Sequence, residues 1–560
     1  MTLSLLLALV FAFDGDDRLR EILLLTGASS AEELDESVLE RFEALETHPL
    51  PINFSSRSRL LSSGLFTAYQ AASLEDYRSR CGDVLSVEEL ALVDGFASGI
   101  ARAMAPFISF DSRSIPGAPV KDTLIFHNDL IAKGSFRTGS KVGYGVKDRF
   151  TIGERFEFSA AYSPNGLKAN AAVYGRRRPW SIIVGDYNLR FGQGLSLWSG
   201  FSLSGIYGVS SLTKRPSGLS PSFSYSAPGS FRGVGASVGF ARNDLTAFVA
   251  TDSFKDVSAG AAWSILFLSG QAGVHIIGEN VLKEPSLRVS ADASVTIRGW
   301  ALAGEVAVQA LKGRVAGILT VSTPSYRGFK TGLRASVIPS GYSGKKNGEY
   351  GGALAAEYAG GRYIPVSGKE GFGSSEQRHK AVLSLQADAL PKAGEPSRAR
   401  IKASLQYSCR LSPNFLLQSK VYTNLYTYQA SRHGFRTELR SSFGGWSADA
   451  RLEMAFSKRY GVLSYIEAGY TGKRAKGFFR VTGFAADEWA DRVYAYERDI
   501  PGSFSAPAYY GRGASLSAFG SCSFRIRKRF VLKAALRGFL TMKKPVPWKA
   551  GLNFQGEFTF

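Results

Sequence analysis

The sequence predicts an α+β chain of two parts, a small all-α module followed by a large antiparallel transmembrane β-barrel of roughly 20–24 strands. Helical periodicity is confined to about the first 110 residues. Beyond about residue 120, apolar and polar residues alternate in runs of about 9–12 residues, long enough to cross a bilayer as tilted strands. The parts also differ in charge: residues 14–110 carry 17 acidic residues, 8 arginines and no lysine, whereas residues 111–560 carry 60 basic and 30 acidic residues.

This pattern divides the chain into three segments. Residues 1–12 form a predicted signal peptide, because the apolar run from Leu3 to Phe13 contains a small-x-small motif, Val10-Phe11-Ala12, ahead of an acidic stretch. The alternative for this run is a short buried helix. Residues 13–110 form the helical module, and residues 120–560 form the barrel. We therefore expect a protein of the bacterial outer membrane whose module lies in the periplasm.

Capping signals place the helices of the module. The stretch RLREILLLTG has leucines at helical spacing and ends at Gly27. Ser30 with Glu33, and Ser86 with Glu89, form the Ser-x-x-Glu pattern of a helix start. We therefore expect several short helices separated by glycines.

Period-2 alternation is clear in the stretch ARIKASLQYSCRL at residues 399–411. Ile401 and Leu405 lie on one face of this predicted strand, and Arg400 and Lys402 lie on the other. Turn signals such as SPNG and FGGW separate successive runs. Large barrels carry their long loops on one rim. Candidates for such loops are the insertions at residues 211–230, 341–350, 361–378 and about 485–512.

The last nine residues, LNFQGEFTF, continue the alternation to the end of the chain. Phe554, Phe558 and Phe560 lie on one face, and we expect this strand to pair with the first strand, because a closed barrel has no free edge. A terminal phenylalanine preceded by alternating apolar residues resembles the recognition signal of outer-membrane barrels. The resemblance implies that the barrel-assembly machinery is a partner of the chain.

Residues 51–108 resemble the tandem helix-hairpin-helix domain of competence DNA-receptor proteins. The similar features are Ile52-Asn53 before a serine-rich helix start, a first hairpin at Ser63-Gly64-Leu65, the stretch YRSRCGDVLSVEEL, a second hairpin at Asp94-Gly95-Phe96 and a closing Pro106-Phe107-Ile108. The stretch VGDYNLRFGQGLSLWSG at residues 184–200 extends the similarity into the barrel. Nearly the whole chain thus resembles a bacterial family that joins this module to an outer-membrane barrel.

In DNA-binding versions of the domain, the resemblance implies hairpins whose backbone N–H groups face phosphate. Candidate contacts to phosphate or to a protein are Gly64, Leu65, Gly95, Phe96, Arg57, Arg59 and Arg102. Each hairpin lacks the second glycine of the Gly-hydrophobic-Gly pattern, with Phe66 and Ala97 in its place. The module is also net acidic, whereas nonspecific DNA affinity comes mostly from lysine and arginine. A contact to protein or to the barrel is therefore favoured over nucleic acid.

The stretch FGQGLSLWSGF at residues 191–201 is unusual for a barrel strand. Gly192 and Gly194 on either side of Gln193 predict a bend or a close backbone approach. Trp198 is expected in the aromatic girdle at the lipid interface. The alternative for these four residues is a constriction or a docking site for an internal plug.

The residues predict no catalytic, metal or cofactor site. The five histidines are widely separated, and the three cysteines form no CxxC pair. The stretches GVGASVG and SGKK do not match nucleotide-binding loops. An enzyme is therefore not predicted, although a serine–histidine pair on a rim stays open as an alternative.

We therefore predict an outer-membrane channel, transporter or assembly component, with the module as a plug or periplasmic adaptor. The opposite net charges of the two parts favour a module that caps the mouth of the barrel. One alternative is a DNA-uptake component whose module binds nucleic acid, and another is a barrel hydrolase. The expected partners are outer-membrane lipid and lipopolysaccharide, the barrel-assembly machinery and a periplasmic protein, with nucleic acid not favoured.

Overall fold

The computed structural model describes residues 16–26, 36–96, 98–112, 126–175, 179–199, 206–225, 229–252, 256–267, 269–282, 285–342, 348–365, 375–391, 398–472, 474–503, 505–527, 530–544 and 548–560. The predicted signal peptide at residues 1–12, the predicted cap at Ser30 and Glu33, and the stretch SGKK at residues 343–346 lie outside these residues.

The alternating part of the chain forms one closed antiparallel barrel of 24 strands, which confirms the predicted fold class. In chain order, strands β1 to β24 span Phe126–Arg137, Gly143–Ile152, Phe156–Ser163, Gly166–Tyr174, Trp180–Arg190, Phe231–Phe240, Asn243–Asp252, Asp256–Phe267, Gly270–Glu279, Ser286–Ile297, Trp300–Gln309, Arg314–Ser322, Phe329–Ile338, Glu349–Pro365, Ser375–Leu390, Arg398–Ser412, Phe415–Tyr426, Arg432–Phe443, Trp446–Phe456, Tyr460–Thr471, Ala475–Ala486, Gly511–Arg527, Phe530–Lys544 and Lys549–Thr559. A further short strand, Gly218–Pro221, pairs with the end of β5.

The last strand closes the barrel on the first, as the C-terminal pattern predicts. Leu130 of β1 pairs with Phe558 of β24, and the backbones of Asn128 and Phe560 exchange hydrogen bonds of 2.9 and 3.0 Å. The phenylalanine face of β24 points outward, with Phe554 53% exposed, whereas Glu557 on the opposite face is only 4% exposed. Both ends of the barrel domain therefore lie on one rim, which we call the terminus rim.

The outer surface of the barrel has the character of a lipid-facing wall. Large apolar side chains at mid-strand point outward, such as Val306, Val421 and Ile466, which is 66% exposed. Aromatic pairs flank this band at the terminus rim, for example Trp446 with Tyr470 at a ring distance of 5.1 Å. On the opposite rim, Tyr144 lies 6.1 Å from Tyr162. An apolar band between two aromatic girdles is typical of a membrane-spanning barrel.

The described residues of the N-terminal module form six α-helices, α1 to α6, at Asp16–Thr26, Glu36–Thr47, Arg57–Ser62, Ala68–Cys81, Val87–Leu90 and Ser98–Met104. A parallel pairing of Leu50–Pro51 with Ile108–Ser109 joins the segment after α2 to the segment after α6. The helices share one apolar core that includes Leu60, Leu74 and Phe107. Ser86 caps α5 by accepting a hydrogen bond from the backbone of Glu89 at 3.1 Å, as predicted. None of the helices in the described part of the chain has the length and hydropathy needed to cross a membrane.

One tight turn connects α3 to α4, and a second connects α5 to α6. Gly64 has a φ of 68° and Gly95 a φ of 87°, backbone conformations that favour glycine. Two such helix–turn–helix pairs agree with the sequence pattern of the module, and its family resemblance stays a prediction.

The longest connections lie on the rim opposite the termini, where residues 191–230 join β5 to β6 and residues 487–510 join β21 to β22. Residues 339–348 also join strands on that rim. The predicted insertion at 361–378 differs, because it joins β14 to β15 at the terminus rim, and its residues 366–374 lie outside the described part. Three of the four predicted insertions therefore share one rim.

A charge at the outward position Ile466, in the middle of β20, is expected to destabilise the barrel in lipid. Ile466→Arg should lower the free energy of unfolding by about 2–4 kcal/mol, because the arginine would face the centre of the bilayer. The measurement is unfolding by urea in lipid vesicles. The folded fraction is read from the heat-dependent electrophoretic mobility of the barrel.

The matched control is Leu311→Arg, since Leu311 is 59% exposed in the turn between β11 and β12. This turn lies on the rim opposite the termini, which we call the outer rim. We expect this change to cost about 0–1 kcal/mol, as for charges near the membrane interface. Equal effects of the two substitutions would contradict a membrane-spanning wall.

Candidate functional site

Helix α2 lies inside the barrel. The Lys147 ammonium, in the middle of β2, donates a hydrogen bond of 2.5 Å to the Glu40 carboxylate of α2. Only 3% of the Lys147 side chain and 8% of the Glu40 side chain are exposed. Because buried charges are tolerated only when they are paired, this ion pair fixes how deeply α2 enters the lumen.

The C-terminal end of α2 lies at the terminus rim. His48, just after the helix, places its Nε2 2.8 Å from the Oδ1 of Asp129 in β1. The Lys533 ammonium of β23 donates to the Thr47 hydroxyl at 2.9 Å and to the Glu557 carboxylate at 2.7 Å. The helix therefore runs from the mouth of the barrel to the middle of its lumen.

Two arginines of α3 make the second part of the contact between module and barrel. Arg57 donates to Asp244 at 3.1 Å and to the carbonyls of Ala241 and Asn243, in and beside the turn between β6 and β7. Arg59 donates to Glu157 of β3 at 2.8 Å and stacks over the ring of Tyr174 at 4.9 Å. These two predicted contact residues therefore hold the module on the barrel.

The other predicted hairpin residues lie within the module or on its surface. Leu65 and Phe96 are buried in the apolar core. Gly64 packs against Arg41 of α2, and the Gly95 carbonyl accepts a hydrogen bond from the Gln70 amide at 2.9 Å. Arg102 is exposed on α6. The candidates from the sequence thus separate into two docking arginines, four hairpin residues and one surface arginine.

The chain leaves the barrel wall in the second half of β5 and enters the lumen. Gly185 has a φ of 103°, and an added Cβ there would lie 2.1 Å from the Ala169 carbonyl oxygen, so the strand turns where only glycine fits. We call residues 187–199 and 206–225 the first inward segment. Its Leu189, Phe191 and Leu219 form an apolar cluster with the inner face of the neighbouring wall.

Glu305 of β11 anchors the stretch that the sequence marks as unusual. Its carboxylate accepts hydrogen bonds from the backbone N–H groups of Gln193, Leu195 and Ser196 at 2.6, 3.0 and 3.2 Å. Gly192 makes this approach fit, because a Cβ there would lie 2.7 Å from the Glu305 carboxylate. Successive N–H groups directed at one anion form a backbone nest. The stretch is thus a bend that docks on β11, six strands along the wall from β5.

The position of Trp198 differs from the expected girdle. Its backbone bridges to Arg190, and the ammonium of Lys214 lies 4.4 Å from the centroid of its ring. Both partners belong to the first inward segment, so the expectation of a lipid-interface position is wrong. The physical reason is that β5 no longer follows the wall beyond Tyr187, where its pairing with β6 ends.

The first inward segment crosses the lumen beyond this point. The backbone N–H of Val209 donates to Glu357 of β14 at 2.6 Å, and Lys420 of β17 lies 5.8 Å from the ring centroid of Tyr207. On its return, Tyr225 stacks on the Lys147 ammonium at 3.9 Å. The segment therefore touches both β2 and the wall on the far side.

A second inward segment, residues 487–503 and 505–510, covers the wall from β18 to β24. Arg498 donates to Glu467 of β20 at 2.7 Å, and Asp499 accepts from Arg537 of β23 at 3.0 Å. The Asn553 amide of β24 also donates to Asp499, at 2.8 Å. Inward charges of the strands are thus neutralised by charges of this segment.

Helix α2 and the two inward segments meet at a cavity of about 30 Å³. The helix contributes Glu40 and Glu43, the first segment Phe223 and Tyr225, and the second Pro501 and Gly502. The remaining charged side chains of the lining are Asp129, Lys133, Lys147 and Glu557, from the barrel wall. The site is therefore a junction at which three independent parts of the chain fill the lumen.

Glu43 has a strongly altered acidity at this junction. Burial raises the pKa of Glu43 to about 8, and the nearby carboxylates of Glu557, Glu40 and Glu46 act in the same direction. The Lys533 ammonium opposes this shift. At neutral pH, Glu43 is therefore mostly protonated, and its ionisation would place a further negative charge among carboxylates.

Within the described residues, no three His, Cys, Asp or Glu side chains are grouped so as to hold a metal ion. His275 and Asp292 form a buried pair on neighbouring strands, and the ring of Phe191 lies 5.2 Å from the His275 ring. This pair faces the first inward segment and takes part in its packing.

No protein-family model matches the chain, and no curated protein matches it. Solved structures similar to the chain include the translocation pore of the P pilus usher PapC, with 10% identity and a TM-score of 0.39 over 78% of this chain and 99% of that one. The FrpB iron transporter of Neisseria meningitidis has 8% identity and a TM-score of 0.37 over 78% and 82% of the two chains. OpdK of Pseudomonas aeruginosa, solved with vanillate, has 10% identity and a TM-score of 0.31 over 78% and 98%. Similarities of this size indicate nothing about what this chain binds.

The sequence patterns do not reveal the residues at the junction, or Glu305 that anchors the first inward segment. Glu40 and Glu43 resemble solvated helix positions, and Lys147 and Glu305 resemble ordinary lumen charges. The one usable signal was the pair of glycines at 192 and 194, which marks the place where the backbone meets Glu305.

The docking of α2 is expected to weaken as pH rises. The pKa of Glu43 is about 8 when docked and 4.5 ordinarily, so its contribution is complete below about pH 4.5 and is lost as pH rises to about 8. Hydrogen exchange of the α2 amides, corrected for the intrinsic effect of pH, should therefore speed up over this range.

Glu43→Gln should remove most of this pH dependence, because the amide does not ionise. Glu46→Gln, which removes a carboxylate from the same helix, should keep most of it. A pH profile of exchange that is identical in the wild type and Glu43→Gln would contradict the assignment.

Proposed function

We propose that this chain is an outer-membrane channel or transporter that is plugged from the periplasmic side by its own N-terminal module. The observation that carries this proposal is the burial of α2 in the lumen, where Glu40 pairs with Lys147. A helix held by buried ion pairs inside a wide barrel obstructs the path along the barrel axis. The plug role is favoured over a free periplasmic adaptor, because Arg57 and Arg59 also bind the barrel.

The proposed orientation follows from the architecture of membrane barrels. Their short turns face the periplasm and their longer loops face outward. In this chain the rim that carries the module is also the rim of the short turns. Lipid and lipopolysaccharide are the proposed partners of the apolar outer wall, and the barrel-assembly machinery is the proposed partner of the C-terminal strand.

Binding of nucleic acid by the module is not favoured. Arg57 is 4% exposed and engages Asp244, so it is occupied by the barrel in the docked state. Arg59 is likewise paired with Glu157. No arrangement of the described residues supports a hydrolase at the rim more specifically than a structural role.

A charge swap across the docking contact tests the plug. Lys147→Glu should bring two carboxylates together and release α2, as should Glu40→Lys with two ammonium groups. Each should raise single-channel conductance in planar bilayers several-fold, and should sensitise cells to antibiotics too large for ordinary porins. The double variant Glu40→Lys/Lys147→Glu should return the conductance towards the wild-type value, because the pair is restored with opposite polarity.

Arg512→Glu is the matched control, since its pair with Asp487 at 2.8 Å lies on the outer rim and does not touch the module. It should leave the conductance unchanged. Unchanged conductance in both single variants, with heat-modifiable mobility intact, would contradict the plug.

A further inference from the structure

The inward residues beneath the two inward segments are buried, whereas several inward basic residues on one arc of the wall are partly exposed. On β9 and β11, the inward residues His275 and Glu305 are each 1% exposed beneath the first inward segment. On β21 and β23, the inward residues Arg480 and Arg537 are 4% and 2% exposed beneath the second. The inward side chains of Lys402, Lys420 and Arg436, on β16 to β18, are partly exposed instead.

This arc, formed by β15 to β18, is basic. The register of the strands turns one set of residues inward, since Leu385, Leu405 and Val421 on the alternate positions are exposed on the outer wall. The inward set includes the partly exposed basic residues Arg400, Lys402, Lys420, Arg432, Arg436 and Arg440. Lumen walls that carry one sign of charge select ions of the opposite sign.

The inward acidic residues described on the same arc are two, and both already bind arginine. Asp388 accepts a hydrogen bond of 2.6 Å from Arg400, and Glu438 accepts one of 2.6 Å from Arg440. Two carboxylates therefore oppose a larger number of basic groups. The described inward side chains of these four strands therefore carry a net positive charge.

The first inward segment borders this arc. Its Tyr207 ring lies 5.8 Å from the Lys420 ammonium, and its Val209 N–H is bound by Glu357 on β14. On the other side, the Arg432 guanidinium donates to the Arg492 carbonyl of the second segment at 2.6 Å. The two segments thus border β15 to β18 on both sides, and several inward basic residues between them stay partly exposed.

We propose that this arc forms the path of the cargo, and that the cargo is a small anionic solute carrying carboxylate or phosphate groups. This inference rests on the proposed function, because it names the substrate class of the same lumen. The solute would exchange hydration for successive guanidinium and ammonium donors along the wall. The positive electrostatic potential of the basic side chains on the arc would favour its passage.

The test is the reversal potential of the full-length protein in planar bilayers under a gradient of potassium chloride. We expect the wild type to prefer chloride over potassium. Lys402→Gln/Arg436→Gln should lower the ratio of chloride to potassium permeability by roughly twofold or more, because two positive charges leave the wall. Inorganic phosphate, added as a probe, should reduce chloride current in the wild type more than in this variant.

The matched control is Lys312→Gln/Lys458→Gln, which removes two exposed lysines from turns of the outer rim. It should change the permeability ratio much less. If Lys402→Gln/Arg436→Gln does not give a heat-modifiable barrel, Lys402→Gln alone should move the ratio in the same direction.

A conducting wild type without preference for anions would overturn this inference and leave the plugged channel intact. Equal changes in the arc variant and the rim control would overturn it as well. A wild type that does not conduct would also overturn it, since the arc would then not bound an open path, whereas the plug is judged by the charge swap at Glu40 and Lys147.

Discussion

The structure depends on the closure of β24 onto β1. In a bilayer, each backbone N–H and C=O of the wall must pair within the sheet, and closure removes the two free edges. Closure also fixes which residues face lipid, because alternate side chains of every strand then point into one lumen. Phe558 and Glu557 lie on opposite sides of the wall for this reason.

A barrel of 24 strands is too wide for its own side chains to fill. Its inward charges therefore need water or partners from elsewhere in the chain. Helix α2 and the two inward segments provide such partners around most of the wall, with Glu40 bound to Lys147, Glu305 bound to a backbone nest and Asp499 bound to Arg537. The inward charges on the arc from β15 to β18 contact fewer of these partners, and several of them are partly exposed to solvent.

The module and the barrel are held together by individual ion pairs. In some of them the acidic residue belongs to the module, and in others it belongs to the barrel. The net charges of the two parts are opposite, and the pair of Glu40 with Lys147 follows that trend. Arg57 and Arg59 follow the reverse trend, since the few basic residues of the acidic module bind acidic residues of the basic barrel. Net charge therefore predicts that the parts associate, and the individual pairs determine where.

Much of the fold could be predicted because its signals are local in sequence. Alternation in the C-terminal stretch predicts the last strand, and the cap at Ser86 predicts the start of α5. The junction could not be predicted in the same way, because Glu40 and Lys147 are 107 residues apart and neither breaks the pattern of its own element. The same limit applies to Glu305, whose backbone partners lie more than a hundred residues away.

The residues at 192–194 are an intermediate case. Their glycines predict a close approach of the backbone to another group. They do not indicate that this group is the carboxylate of Glu305. Arg57 and Arg59 are predicted as contacts to phosphate or protein, and helical periodicity cannot distinguish a phosphate contact from a docking contact. Such assignments need the spatial arrangement of strands, which fixes Asp244 and Glu157 beside α3.

Cross-linking in intact cells tests the central claim, that α2 occupies the lumen of the assembled barrel. Cysteines placed by Ala44→Cys in α2 and Gln555→Cys in β24 line the same cavity and leave the pair of Glu40 with Lys147 intact. The chain, with Cys81, Cys409 and Cys522 replaced by serine, would be treated with a short bifunctional thiol reagent. We expect an intramolecular link in heat-modifiable barrels, and none when Glu88→Cys, at an exposed position of the module, replaces Ala44→Cys. Absence of the first link, or equal yields from both pairs, would contradict the account.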